Sequence, residues 1–430
     1  VKQKPERRPH EQAGILNRPP EHAIVAAFTF TEQHPASSSV EALRAVLRAE
    51  LTSDLEDMSG AALEAPPAET GELGFDDDYD RNHLTVTAGF SESGLTKLGA
   101  TRTAPAAQTD TMPSDLITIP WDRLGDHAVI TAESGDVLLQ ICADSLYLVE
   151  HVLRRIETDL REQLTLIWAH SGTQRYSTRA GRTSRREGRA LLGFLDGTSN
   201  LDPAHDPADR RLVFVDPADM ADYPKRQPDI TAGTYGQAIP TFPPDLREPP
   251  TAEPFWTTGG TYMTVRASAA ALPDWDTSSL DLQQHTIGRR KVEGNFLDLD
   301  ANANPDAEPV FATNPNDTTV PLNSHVRKMN PRSGPDDVLR RVFRRGYPLI
   351  EAAGSGGLRR GLLFICFGRT LTTQFEFITA GWMVNENFPQ PGTGQDALRR
   401  YESEVLAGGY YFVPALTNAR QPWSWSLPPS

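Results

Sequence analysis

Two stretches of the chain hold residue types that do chemistry, at a spacing a plain structural protein does not need. The first is GFLDGTSN (residues 193–200), which sets Asp196 beside Gly197 on a tight turn. Asp-Gly pairs form turns readily, so an ordinary surface turn accounts for this stretch when it is taken alone. The second is NSHVRKMNPR (323–332), followed by LRRVFRRGYPL (339–349), with one histidine and six arginines between them. In an acidic chain such a basic concentration suits an anionic cofactor, although a solvated basic face explains most of the arginines singly. No phosphate loop ending in Lys-Ser/Thr, GxSxG elbow or HExxH pair occurs.

The elements that must position these residues come from a chain of 430 residues, enough for two ordinary domains. Hydrophobic residues make up 38% and charged residues 23%, a globular balance. The formal charge of −15 disfavours nucleic acid and anionic membranes as partners, because both reward basic surface. No apolar run reaches the roughly 18–20 residues of a spanning helix, and residues 23–30 lack a signal-peptide pattern. A chain already trimmed of its leader reads the same, so both secreted and cytoplasmic residence stay open. Two cysteines, Cys142 and Cys366, exclude a disulfide framework or zinc cluster, and both sit in apolar runs as buried thiols.

Residues 1–20 are polar and proline-bearing and read as an N-terminal arm. Strands are expected at 23–30, 84–90, 136–143 and 164–170, with helices at 40–51, around Leu95 and Leu98, and at 145–163. That order suits an antiparallel sheet with helices on one face. Residues 203–254, rich in proline and aspartate, read as a connecting region and not a core. The second half repeats the recipe, with strands at 261–268, 361–368 and 409–416 and helices at 280–292 and 372–383. The expected class is therefore α+β. An N-terminal domain over 21–202 carries the Asp196 turn at its end, and a C-terminal domain spans 203–430.

Taken together, the motifs resemble a known family. The Gly-x-x-Asp-Gly turn, SHVRKMNPR (324–332) and RRGYP (344–348) lie in the order found in dye-decolorizing peroxidases. HEQAGI (10–15), GRRKVEG (288–294), and LLFICF with QFEFI (362–367 and 374–378) are also similar to that family. The resemblance covers nearly the whole chain and looks closest to the bacterial group often exported by the twin-arginine route; no twin-arginine segment is present.

The resemblance implies two ferredoxin-like domains, one non-covalent haem b in the second, hydrogen peroxide as oxidant and dye-like or phenolic donors. No Cys-x-x-Cys-His run offers thioether attachment. His325 matches the proximal iron ligand, with His170 and His285 as fallbacks. Asp196 and Arg344 match the distal base and cation, and Arg345 is the other member of the tandem. A carboxylate base works best in mildly acidic solution. Arg289, Arg327, Arg332 and Lys328 are candidates for the haem propionates. The family's acidic partner of the proximal histidine falls in WMVNENFP, at Glu386 or, one register away, Asn385. Trp382, close by, reads as a packing residue rather than a radical site. Two rival readings share the cofactor or the fold: a deferrochelatase-like protein that releases iron from haem, and a haem-binding protein without a peroxidase role. Assembly into a homo-oligomer is compatible with either.

Overall fold

The computed structural model describes residues 11–17, 19–59, 83–102, 111–126, 128–174, 188–222, 247, 249–250, 252–314, 316–332, 335–353 and 356–415. The N-terminal half lays down β1 (His22–Phe30), α1 (Ala36–Ser59), β2 (Thr85–Phe90), α2 (Glu92–Lys97), β3 (Val137–Ala143), α3 (Leu146–Asp159) and β4 (Leu164–Thr173). Its strands are antiparallel in the order β4-β1-β3-β2. The C-terminal half contributes β5 (Thr261–Ala270), β6 (Phe343–Arg344), β7 (Tyr347–Ala352), β8 (Leu358–Gly368) and β9 (Glu402–Val413). There the order is β9-β5-β8, with β6 and β7 following one another along the far edge of β8. Counting β6 and β7 as one interrupted strand, both halves share one topology, the ferredoxin-like one.

Alternation along the strands builds two apolar layers. Ala23, Val25 and Ala27 of β1 face Met263, Val265, Leu363, Ile365 and Tyr411, between the two halves of the sheet. Ile24, Ala26 and Phe28 face Val40, Leu43 and Leu47 of α1 and Val149, Val152 and Ile156 of α3. Ser145 starts α3 by accepting the Leu148 N–H on its hydroxyl.

The halves meet edge to edge at two narrow seams, Phe90 opposite Phe412 and Gly172 opposite Leu349, which close the sheet on itself. Both seams need a residue without a side chain. A Cβ at Gly172 would stand 2.5 Å from Tyr347 Cβ, and one at Gly89 would stand 2.9 Å from Tyr411 Cβ.

Several expectations are corrected. The described part of the N-terminal arm is not loose: Gln12 hydrogen-bonds the backbone of Ala88 and Pro414, and Ile15 is buried. Residues 1–10, including His10 of the family-like segment, lie outside the described residues. The connecting region is part core, because Leu212, Val213, Phe214 and Val215 are buried and Val215 bonds the backbone of Gly259 and Gly260. Its stretch 223–246 lies outside the described residues, as does Leu416. The helix expected at 280–292 stops at Ile287, where Gly288 takes a left-handed φ of 92°. Arg344 does lie on a strand, β6, as its spacing from His325 allowed, and β7 was not anticipated. The expected helix at 372–383 forms as a wide π-type helix over Leu371–Met383, nearly all of it buried.

A buried charged cluster fastens that helix to the connecting region. Arg247 pairs with Glu376 on the helix (2.9 Å) and with Asp115 (3.1 Å), and Asp115 also accepts the N–H groups of Leu371 and Thr372. Next to it, Glu253 accepts the Tyr262 hydroxyl at 2.6 Å and the Ser114 N–H at 3.0 Å. Burial, helped by the charge of Asp115, pushes the Glu253 carboxyl up to about 7. Its folded value lies above its unfolded one, so this contribution to stability is complete below the unfolded value and is lost as pH rises through about 7. Denaturant unfolding should show stability falling by on the order of 1–3 kcal/mol between pH 6 and pH 8.5 on this account. In Glu253→Gln that fall should largely disappear; an equal fall in both proteins would assign it to other groups.

Candidate active site

The site lies on the outer face of the C-terminal half of the sheet, under the layer that carries helix Leu371–Met383. β6 supplies Arg344, whose partner across the ladder is Cys366 of β8. Because neighbours on a strand point to opposite faces, the tandem arginines separate. Arg345 turns into the protein, buried, and donates to the carbonyls of Ile15 and Asn17 in the N-terminal segment. Arg344 turns to the other side and donates from Nη2 to the Thr198 carbonyl at 2.7 Å, two residues beyond Asp196.

The turn around Asp196 is therefore no free surface loop. Asn200 reads the backbone of Arg344 in both directions, accepting its N–H at 3.1 Å and donating to its carbonyl at 2.9 Å. Arg341 bonds the Ser199 carbonyl and Arg289 bonds the Ser199 hydroxyl, both at 3.0 Å. The turn needs left-handed backbone at Gly197 (φ 73°) and even at Ser199 (φ 51°). Asp196 accepts the Gly197 N–H on Oδ1 at 2.7 Å, and its Oδ2 has no hydrogen bond among the described residues. Burial pushes the Arg344 guanidinium down, while the nearby charge of Asp196 pulls it back up.

Arg289, Arg332, Arg341 and Arg344 crowd together here. Burial, then the like charges of Arg332 and Arg344, push Arg289 down to about 9. Arg289 leans on the Phe296 ring at 3.7 Å, and its buried Nε has no hydrogen-bond partner among the described residues. Arg332 shares that ring and is tied to Glu308 at 2.9 Å; burial lowers it too. Such a group of desolvated cations is favourable only around an anion. Arg327 does not join it: fully buried, it donates to the carbonyls of Asp317 and Val320 under the Phe311 ring. Lys328 likewise turns away and binds backbone carbonyls of the 382–388 segment.

His325 opens a short helix (His325–Met329) that packs on helix Leu371–Met383. Its Nδ1 meets Asp396 Oδ2 at 2.7 Å. The expected partner is thus corrected: it is Asp396, neither Glu386 nor Asn385. Glu386 is exposed at the helix exit, and the Asn385 amide bonds the Gly381 carbonyl. Nine residues separate Glu386 from the acid that returns to the histidine. Asp396 is 3% exposed and held from both ends: Leu398 N–H donates to its Oδ1 at 2.9 Å, and its own N–H bonds the Met383 carbonyl. An aspartate capping the turn Ala397–Tyr401 was the signal that could have found it. His325 Nε2 has no hydrogen bond among the described residues. The fallback histidines are engaged elsewhere, His170 with Glu351 at 2.9 Å and His285 with the Asp281 carbonyl at 2.8 Å.

An imidazole fixed through Nδ1 with Nε2 open, together with a desolvated arginine group with an unpartnered Nε, is a donor set that fits a haem. Burial pushes the Cys366 thiol up to about 12. A ferredoxin-like pair of domains carrying such a donor set is the class of a two-domain haem-binding oxidoreductase. Residues 12–174 match the family described as Dyp-type peroxidase, N-terminal, and residues 244–418 match Dyp-type peroxidase, C-terminal. The chain belongs to the Dyp-type peroxidase family and is a peroxidase. It is similar to the deferrochelatases of Escherichia coli K12 and Shigella flexneri, each 29% identical over 416 residues, which span 95% of this chain and 83% and 84% of theirs. Among solved structures it resembles DtpA from Streptomyces lividans (TM-score 0.66, 24% identity, 94% of this chain and 92% of that one). It also resembles a DyP-type peroxidase from Cellulomonas bogoriensis (TM-score 0.64, 23% identity, 94% and 92%). Among the described residues no helix is long and apolar enough to cross a membrane.

Proposed function

We propose that the chain holds one haem b without covalent attachment and uses hydrogen peroxide to oxidise dye-like or phenolic donors. His325 Nε2 would hold the iron, and Arg289 and Arg332 would meet the propionates. The single observation that carries this reading is the His325–Asp396 pair, with Nδ1 committed at 2.7 Å and Nε2 open. When bound, haem would supply the two-electron chemistry that reduces peroxide to two waters at the expense of two one-electron donors. The residues around it handle protons and charge. Asp396 holds the Nδ1 proton and makes the imidazole a stronger donor. Asp196 Oδ2 takes a proton from one peroxide oxygen and returns it to the other as the bond between them breaks. Arg344 offsets the negative charge that builds on the departing oxygen.

Asp196→Asn tests the base. Asparagine keeps the size of the turn and can still accept the Gly197 N–H, but it cannot take the proton. The peroxide step, followed by stopped flow across pH, should lose its acidic limb and slow by about 10²–10⁴-fold. The same rate and the same acidic limb in both proteins would leave Asp196 as a shaper of the turn only.

The name of the relatives favours a second reading. Deferrochelatases match over 95% of this chain, so release of iron from haem is the competing activity. Incubation of the haem-loaded protein with a reductant separates the two. Metal-free porphyrin as the product would establish the second reading, and intact haem together with donor oxidation by hydrogen peroxide the first.

A further inference from the structure

Lys328 stands three residues after His325 in the same short helix and is fully buried. Its ammonium donates to three backbone carbonyls: Trp382 at 3.2 Å, Asn385 at 2.8 Å and Phe388 at 2.5 Å. It also lies 5.7 Å from the centre of the Phe388 ring. Those carbonyls belong to the chain leaving helix Leu371–Met383. That same exit presents the Met383 carbonyl to the Asp396 N–H (2.9 Å) and the Glu386 carbonyl to the Gly394 N–H (2.8 Å). One side chain therefore clamps the segment that fixes Asp396 to the helix that carries His325.

A tie between backbone segments does not require a charge, and burying an ammonium is expensive when neutral donors would serve. Burial does push Lys328 down, to about 8, and the carboxylates of Asp396 and Glu386 oppose that shift. Glu386 is exposed and screened, whereas Asp396 is buried, so the interaction that counts is with Asp396.

Resting on the reading of His325 as iron ligand, we propose that Lys328 is a positioning residue for the His325–Asp396 pair, fixing its geometry and offsetting the charge that Asp396 lends the imidazole. Two opposed charges then act on one histidine. Asp396 draws its Nδ1 proton and strengthens it as a donor, and Lys328 limits that draw.

The test is the Fe(III)/Fe(II) midpoint potential of the haem-loaded full chain, measured for Lys328→Met and Lys328→Arg in the wild-type and Asp396→Asn backgrounds. Lys328→Met should lower the potential, because an unopposed carboxylate makes the histidine more anionic and favours ferric iron. Lys328→Arg keeps the charge and should shift it less. In Asp396→Asn the effect of Lys328→Met should shrink to less than about half. An equal shift in both backgrounds, or no shift with haem retained, overturns the proposal. Should the methionine variant fail to fold, Lys328→Gln keeps N–H donors without the charge and must show the same downward shift, or the proposal falls. If Asp396→Asn alone leaves the potential unchanged, the ligand reading itself is wrong and this proposal goes with it.

Discussion

Arg344→Leu should bind haem as the wild type does and react with hydrogen peroxide about 10²–10³-fold more slowly. The split between binding and reaction follows from how Arg344 is held. Its backbone is fixed by the Asn200 side chain and its strand by pairing with Cys366, and neither contact uses the guanidinium. The one side-chain hydrogen bond that is lost, to the Thr198 carbonyl, is a single tie on a turn also held by Arg289 and Arg341. The fold and the turn survive, and what disappears is the cation proposed to offset charge on the departing oxygen. Arg345→Leu should do the reverse. It removes a buried donor to Ile15 and Asn17, lowering stability by about 1–3 kcal/mol while the peroxide step keeps its rate. Stopped-flow rates with haem content and unfolding midpoints for both variants decide this. A near-wild-type rate in Arg344→Leu with a slow Arg345→Leu would mean that the wrong member of the pair was taken.

That pair also marks what the sequence could and could not show. Apolar alternation made most strands legible, because burial on both faces leaves an unmistakable run, as in LLFICF of β8. β7 escaped because a glycine precedes it and a proline interrupts it, and because it is buried only at its first three residues. The family resemblance implied that Asp196, His325 and the arginines belonged to one site. It could not say which way each charge turns. Arg327 and Lys328 share a helix with His325, yet both point into the protein and bind carbonyls, while Arg289, 38 positions before Arg327, joins the cluster at the Asp196 turn. Asp396 escaped for a related reason. Its place beside His325 depends on how the loop over residues 387–395 returns, which periodicity does not encode.

The largest loss is expected at the histidine. In His325→Ala the haem should be held more weakly by more than the roughly 10–100-fold that outer partners alone are worth. The purified protein should carry little haem, or carry it with the spectrum of an iron lacking a strong proximal nitrogen. Loss of the imidazole also leaves Asp396, buried at 3% exposure, with the Leu398 N–H as its remaining side-chain partner. An uncompensated buried carboxylate destabilises the fold, so low haem could reflect a damaged protein instead of a missing ligand. Two further variants separate these causes. His325→Ala/Asp396→Asn removes the stranded charge, and it should recover unfolding stability without recovering haem. Free imidazole added to His325→Ala can enter the space left beside Asp396, accept the same hydrogen-bonding arrangement and restore a nitrogen-ligated spectrum. Full haem content with an unchanged spectrum in His325→Ala would reject the ligand. Haem recovered by the double variant without imidazole would show that stability, and not ligation, had been lost.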